Sequence, residues 1–517
     1  MDRGDVRFRF LLGFLTVLPL LILPFLELGR RPAEWGLLER YPTSDEAALE
    51  VGTLRALEGR QLLGPYSRFG WNHPGPTFFY ATLPLYVMLG RSSLALDFTA
   101  LFLNLAAIAV ILTSVSYRGR TLAFGVFSVL FTLYLNYLYT ERAFSLSSPW
   151  NPFVTILPFA ALFFLSTETA LGRLSRLPLA VLCASFVVQT HVAYLPSVMA
   201  LAVATALVSL SAGLRRVLGM APFAPQGSHA RRSVALAGIV FFLLWLPPVF
   251  EELTNEPGNV TRMVQFFSAE SNPLGIARAL RALSVSVPFS TGVLVALSLS
   301  LGYFRARRRR DDAAIALSIL GVVGSLAALW SIGRIVGPVS SVHSYLLFWT
   351  SALLVVAAGV FALGLVPRRN ASERWLKITV AVVAIALTVH TVIRTAANRT
   401  DFPREFDSHK TKVLYRQLHD FLEAESIRKP LIRIYSVDTW QVAAGVILQL
   451  HKAGIQFSIQ EDWVSMFGRE FAPSGDEDLE VFFDDRYIHE VGYRYRVIAR
   501  HRGTVLFVRE PGTSEER

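Results

Sequence analysis

The chain has 517 residues, of which 53% are hydrophobic and only 17% charged, a balance that excludes an ordinary soluble protein of this size. The formal charge of +11 does not point to nucleic acid, because the arginines fall in short loops between apolar runs, as the positive-inside rule expects. The single Cys183 lies inside an apolar run and excludes an intrachain disulfide and a cysteine metal cluster.

A helix of about 17 to 25 apolar residues crosses a hydrocarbon core of roughly 30 Å with its backbone bonds closed, and runs of that kind recur along the chain. The first covers 10–26 and follows Arg3, Arg7 and Arg9. No small-x-small cleavage site follows it, so it reads as an uncleaved span with a cytoplasmic N-terminus. A polar first outside loop, 28–75, comes next, and then the run 76–90, which is short and carries Pro76 and Pro84. Clear runs follow at 94–117, 121–139, 153–166, 178–189, 195–214, 234–249, 286–304, 313–330, 345–366 and 378–393. The fold class expected is an α-helical polytopic membrane protein of about eleven transmembrane helices plus juxtamembrane helices.

Which side each loop occupies turns on 76–90. If it crosses, Arg231-Arg232, the arginines of 305–310 and Arg368-Arg369 all fall outside; if it dips into the interface and returns, they fall inside with Arg118, Arg120, Arg173 and Arg176. The dipping reading satisfies the charge rule and is adopted. It places outside the segments 29–75, 140–151, the turn around His191, 251–283, 331–344 and everything after Ala396. The expected location is the plasma (inner) membrane, multi-pass, with a transmembrane domain over 1–396 and a small extracytoplasmic α/β domain over 397–517. In that tail the pattern predicts helices over 415–424 and 440–452, strands over 431–437 and 456–460, and a hairpin of 494–500 and 504–509.

The polar motifs collect on the outside. Thr43-Ser44-Asp45-Glu46 precedes a strong helix former and fits a capping box, with Thr43 as N-cap and Glu46 three residues on. A carboxylate fixed there could also accept a proton from a hydroxyl, which makes Asp45 a candidate base and Glu46 its neighbour. The loop ends in Gly64-Pro65-Tyr66-Ser67-Arg68-Phe69-Gly70-Trp71-Asn72-His73-Pro74-Gly75-Pro76. Glycine and proline set turns there and Trp71 suits an interface anchor. The same stretch offers Arg68 and His73 as donors to an anion and Trp71 as a face for a sugar ring.

An acid pair early in a large first outside loop, a His-Pro turn entering an apolar run and a later external loop before another span resemble the C-type glycosyltransferases. Within them the chain is most similar to the family of protein mannosyltransferases and lipid A aminoarabinose transferases, which uses polyprenyl-phosphate sugars. The resemblance implies that Asp45 is the catalytic base and that His73-Pro74 is the family's His-Pro motif. The second outside loop of that family usually carries an Asp. Here Thr140-Glu141-Arg142 and Ser148-Pro149-Trp150-Asn151-Pro152 stand in its place.

Gln189-Thr190-His191-Val192-Ala193-Tyr194 breaks one apolar stretch in two, and polar groups at that depth are functional candidates, so His191 and Tyr194 join the substrate-binding set with Arg142 and Asn151. Glu251 and Glu252 follow Trp245-Leu246-Pro247-Pro248; solvated acids at a helix exit account for them, with Glu251 a weaker candidate for sugar or metal contact. Arg334, with His343 and Tyr345, forms the last external cluster, and a guanidinium suits a phosphate through bidentate geometry.

The function expected is inverting transfer of a sugar from a polyprenyl-phosphate donor to an extracytoplasmic glycan, lipid or protein, with the bilayer and no nucleic acid as the surroundings. No glycine-rich nucleotide loop appears, so the donor arrives in the membrane. No metal-ligand set has diagnostic spacing, although a divalent cation is compatible with the chemistry. Two other classes stay open: a transporter or flippase of a lipid-linked substrate, against which the lack of a repeat counts, and a membrane-anchored assembly protein acting through its tail.

Overall fold

The structure, a computed structural model, describes residues 8–9, 11–14, 18, 40–67, 69–118, 121–141, 145–226, 229–269, 273–286, 289–335, 343–366, 374–397, 403–436, 438–485, 495–501 and 503–509. Most of the expected first span, 10–26, lies outside them, as do Arg68 and Arg142. The chain divides into two compact units: Met1–Arg31 with Thr99–Asn398, and Pro32–Phe98 with Arg399–Arg517. A boundary near 396 was expected. The division adds 32–98, most of the first outside loop and the helix that follows it, to the C-terminal part.

The first unit is a bundle of apolar helices. Among the described residues seven helices are long and apolar enough to cross a membrane: Leu94–Arg118, Thr121–Leu138, Asn151–Ala170, Val192–Leu210, Ala230–Thr254, Asp312–Gly333 and Tyr345–Leu365. The expected runs at 178–189 and 378–393 form the helices Leu174–Thr190 and Arg374–Ala397, and Phe289–Arg309 ends in Arg307, Arg308 and Arg309.

Two of these helices show how a bilayer changes the packing rules. Every residue of Ile156–Ala170 is buried, so this helix is the axis of the bundle. In contrast, Ala230–Thr254 buries only Ala237, Pro248 and Glu251 and leaves Phe241, Phe242, Leu243 and Phe250 exposed. An apolar face is stable there when lipid, which is as apolar as leucine, covers it. The axis is packed through glycine: a Cβ on Gly324 would meet the ring of Phe163 at 2.5 Å. Small residues of this kind let helices approach closely where no hydrophobic force separates lipid contact from protein contact.

The second unit is α/β. Its strands are β1 (Pro430–Ile434), β2 (Ser458–Ile459), β3 (Leu479–Asp484), β4 (Tyr495–His501) and β5 (Thr504–Arg509). They form one sheet in the order β2-β1-β3-β5-β4, parallel across β2-β1-β3 and antiparallel across β3-β5-β4. Helix Trp440–Lys452 matches the predicted one, the helix predicted over 415–424 is the second half of the longer Pro403–Ala424, and β4 with β5 forms the predicted hairpin. The central strand β3 was not foreseen.

The first-loop part of this unit contributes the helices Ser44–Leu57 and Thr77–Met88. The second occupies the ambiguous run. Its twelve residues span about 18 Å at 1.5 Å per residue, well short of a hydrocarbon core of roughly 30 Å, so it cannot cross as a helix. Its inner face buries Phe78, Phe79, Thr82 and Tyr86.

Candidate active site

The Ser44–Leu57 helix is held at its start by charge and not by a cap. Thr43 sits at the N-cap in extended backbone, but its side chain accepts no capping bond, and the expected capping box does not form. The reason is Arg40, whose guanidinium pairs with both Glu46 and Asp97. A charge-assisted bond to a guanidinium is stronger than a reciprocal bond to a backbone N–H, so Glu46 turns to Arg40. Burial acts to lower the Arg40 pKa, yet the charges of Asp97, Glu46 and Glu50 outweigh it and raise it above the ordinary value.

One turn further along the helix, Glu50 is fully buried and pairs with Lys452 of the Trp440–Lys452 helix, and it accepts the Tyr86 hydroxyl at 2.9 Å. Burial, then the charge of Glu50, pushes the Tyr86 phenol well above its usual range, so it remains a donor. Arg55, in the last turn, reaches Glu470 at 2.5 Å. Gly445 makes the approach of the C-terminal helix possible, since a Cβ there would lie 2.6 Å from the Pro42 carbonyl oxygen. The helix carrying Asp45 is thus pinned along its length by residues that are distant in sequence.

Asp45 itself accepts a hydrogen bond from the Tyr66 hydroxyl. The residue before it, Ser44, has φ +55°, in the left-handed region that a side chain normally avoids. A strained residue beside a carboxylate is the kind of outlier that marks a functional position. Tyr66 reaches Asp45 because 64–73 closes as a small hairpin. The Gly64 N–H donates to the His73 carbonyl at 2.9 Å, the His73 N–H to the Pro65 carbonyl at 2.8 Å, and the Ser67 N–H to the Trp71 carbonyl at 2.9 Å. The glycine, proline and aromatic motif is therefore a device that presents a phenol to the acid. Tyr66, the partner of Asp45, carries no local signal of that pairing in the sequence.

Trp71 and His73 belong to the same hairpin and are 5% and 6% exposed. Their rings meet edge to face at 5.7 Å, and Phe69 stacks on Trp71 at 6.1 Å. Asp45, Glu46, Trp71 and His73 are thus brought into one unit, with the Trp71 ring enclosed by protein.

The remaining candidates lie in the other unit. Tyr194 is fully buried, donates to Thr155 Oγ1 at 2.9 Å and packs against Phe159 and Trp349. Thr155 in turn donates to the main-chain carbonyl of Asn151 at 2.7 Å. His191 is buried, lies edge to face with Tyr194 at 5.9 Å and accepts the Ala193 N–H through Nδ1 at 3.4 Å. Ser331 donates to the Ala193 carbonyl at 2.9 Å, and Trp150 lies 5.4 Å from Tyr345, on which His343 stacks at 5.5 Å. Asn151, His191, Tyr194 and His343 are therefore linked through short chains of contacts at one end of the bundle. Arg334, in the turn that ends the Ser331 helix, is exposed and donates to the Phe267 carbonyl at 3.4 Å.

Glu251 and Glu252 have a structural use. Their carboxylates accept the N–H groups of Asn259 at 2.9 Å and Val260 at 2.7 Å, capping the Asn259–Ala269 helix. Among the described residues no group of three or more His, Cys, Asp or Glu side chains gathers to hold a metal.

No family model matches the sequence, and no curated protein does. The fold does have a counterpart. The crystal structure of ArnT from Cupriavidus metallidurans in the apo state superposes with a TM-score of 0.57, over 92% of this chain and 96% of that one, at 12% identity. At that identity the likeness concerns the fold alone, and the chain has an ArnT-like fold.

Proposed function

We propose that this protein is an integral membrane glycosyltransferase that moves a sugar from a polyprenyl-phosphate donor to an extracytoplasmic acceptor, with inversion and with Asp45 as general base. The observation that carries the reading is the Asp45 carboxylate, fixed by the Tyr66 hydroxyl at the start of a pinned helix behind a left-handed Ser44. The fold shared with ArnT supports it, as does the absence of a nucleotide loop from the sequence.

In the proposed step the acceptor O–H gives its proton to Asp45 while its oxygen bonds to the anomeric carbon. The bond from that carbon to the phosphate oxygen breaks, and its electron pair leaves with polyprenyl phosphate. A phosphate leaves readily, so the demand on the protein is for a base and for charge stabilisation. Arg334, with Arg142, His191 and His343 in support, is assigned the departing phosphate charge, and Arg68 and His73 are assigned anionic groups of the substrates. Tyr66 holds the Asp45 carboxylate in place without neutralising it.

The test is transfer from radiolabelled polyprenyl-phosphate mannose, arabinose and aminoarabinose into membrane extract by purified wild type and Asp45→Asn. Transfer by wild type that disappears in the variant is expected. Equal transfer by both removes Asp45 as the base.

A further inference from the structure

The parallel part of the C-terminal sheet carries an aromatic feature that the transfer step does not use. Strands β1 and β2 are neighbours and run the same way, so the helices that follow them start side by side. Trp440 opens the first of these helices and Trp463 lies in the first turn of the second, and their indoles stack at 6.0 Å with 20° between planes. Carboxyl ends of parallel strands are where open α/β sheets bind ligands.

Trp440 also meets Tyr66 edge to face at 6.4 Å, and Tyr66 is the residue that donates to Asp45. The indole pair is therefore one side chain away from the proposed base. Both indoles are half-buried, whereas Trp71 is enclosed. Glu461 and Asp462, both exposed, stand directly before Trp463, and Gln460 Nε2 donates to Asp462 at 3.2 Å.

Flat aromatic faces bordered by carboxylates and an amide are the chemistry that recognises a sugar. The ring's C–H face lies on the indole, and its hydroxyls donate to the acids at the edge. A lipid chain would not need the carboxylates, and a phosphate would be repelled by them.

We infer that Trp440 and Trp463, with Glu461 and Asp462 at their edge, form the acceptor subsite and that the acceptor group it holds is a carbohydrate. This rests on the glycosyltransferase reading above, with Asp45 as the base. The subsite orients the acceptor hydroxyl towards Asp45 and so sets acceptor specificity; it takes no part in the chemistry.

The experiment uses the full-length protein in nanodiscs and reads binding apart from turnover. Methyl glycosides of hexoses and pentoses, and a serine-containing peptide as the non-sugar hydroxyl, are titrated calorimetrically into wild type, Trp463→Leu and Trp463→Phe. Leucine keeps apolar bulk without a π face, and phenylalanine keeps a face. We expect at least one glycoside to bind, its Kd to rise about five- to tenfold in the leucine variant and to stay within about twofold in the phenylalanine variant. No glycoside binding, a Kd unchanged by leucine, an equal loss in both variants, or tighter binding of the peptide each overturns the inference. Asp45→Asn run alongside separates the two readings. It should bind the glycoside like wild type while failing in transfer, and transfer by it would overturn the base assignment while leaving the Trp463 result standing.

Discussion

Two carboxylates, one in each unit, are held in opposite ways. Glu168, 2% exposed, lies between two guanidiniums, Arg118 at 3.0 Å and Arg173 at 2.6 Å, and Arg173 also stacks over the Tyr117 ring at 3.9 Å. Asp45 is half-buried and takes a hydrogen bond from a neutral phenol, behind a residue in left-handed backbone. Paired cations tie an anion into the packing of its neighbours, whereas a neutral phenol fixes its position and brings no countercharge of its own. Glu168 is built to hold helices together, and Asp45 is the carboxylate we propose as the base.

The comparison breaks most sharply on neutral amides. Asp45→Asn should lower transfer by roughly a hundred- to ten-thousandfold, the range of a lost general base, while the thermal midpoint stays near wild type. Glu168→Gln should do the reverse. Removing one partner of a buried ion pair typically costs about 3–5 kcal/mol, and the low end applies because both guanidiniums keep some contact with water. Thermal unfolding in nanodiscs reads that loss, and activity per folded molecule should be unchanged. A Glu168→Gln protein that is stable but inactive would erase the distinction.

Much of this arrangement was legible in the sequence, and the parts that were not share a physical cause. Run length alone located the Leu94–Arg118 and Asp312–Gly333 helices, since a bilayer demands a fixed apolar length. The amphipathic period located Trp440–Lys452 at both ends. Asp45 stood out because acids at a helix start are a local pattern. Its partner Tyr66 did not, because the bond depends on a hairpin whose closure places a side chain 21 positions away. The capping box at Thr43 failed for a similar reason: a local rule lost to Arg40, which comes with Asp97 from the start of another helix. Strand β3 was hidden because its apolar core is short and follows the polar run Ser474-Gly475-Asp476-Glu477-Asp478. Glu50 and Lys452 give no sign in the sequence of being a buried pair.

A milder change probes how the phenol acts on Asp45. Tyr66→Phe removes the hydroxyl and keeps the ring that meets Trp440. The turnover number should fall about tenfold, the scale of a lost hydrogen bond to a charged group. The KM for the acceptor should stay near wild type, because the lost donor positions the base and not the substrate. A KM that rose together with the lost rate would mean that Tyr66 only shapes the loop.

The smallest effect comes from a third carboxylate held by neutral donors, in a surface loop. Glu477 accepts the Ser474 N–H at 2.8 Å and the Gly475 N–H at 3.0 Å. Its slight burial acts to raise its pKa, but the Ser458 side chain and these backbone donors outweigh that and hold it at about 2, below its ordinary 4.5. A folded pKa below the unfolded one means that the unfolded chain binds more protons between the two values. The carboxylate therefore contributes its stability above about pH 4.5 and loses it as pH falls towards 2. The group is close to solvent, so the contribution is a few tenths of a kcal/mol at neutral pH after screening. Thermal midpoints of wild type and Glu477→Gln should differ slightly at pH 6 and converge near pH 2.5, and a gap that widened on acidification would show that neutral donors do not hold this carboxylate in its charged form.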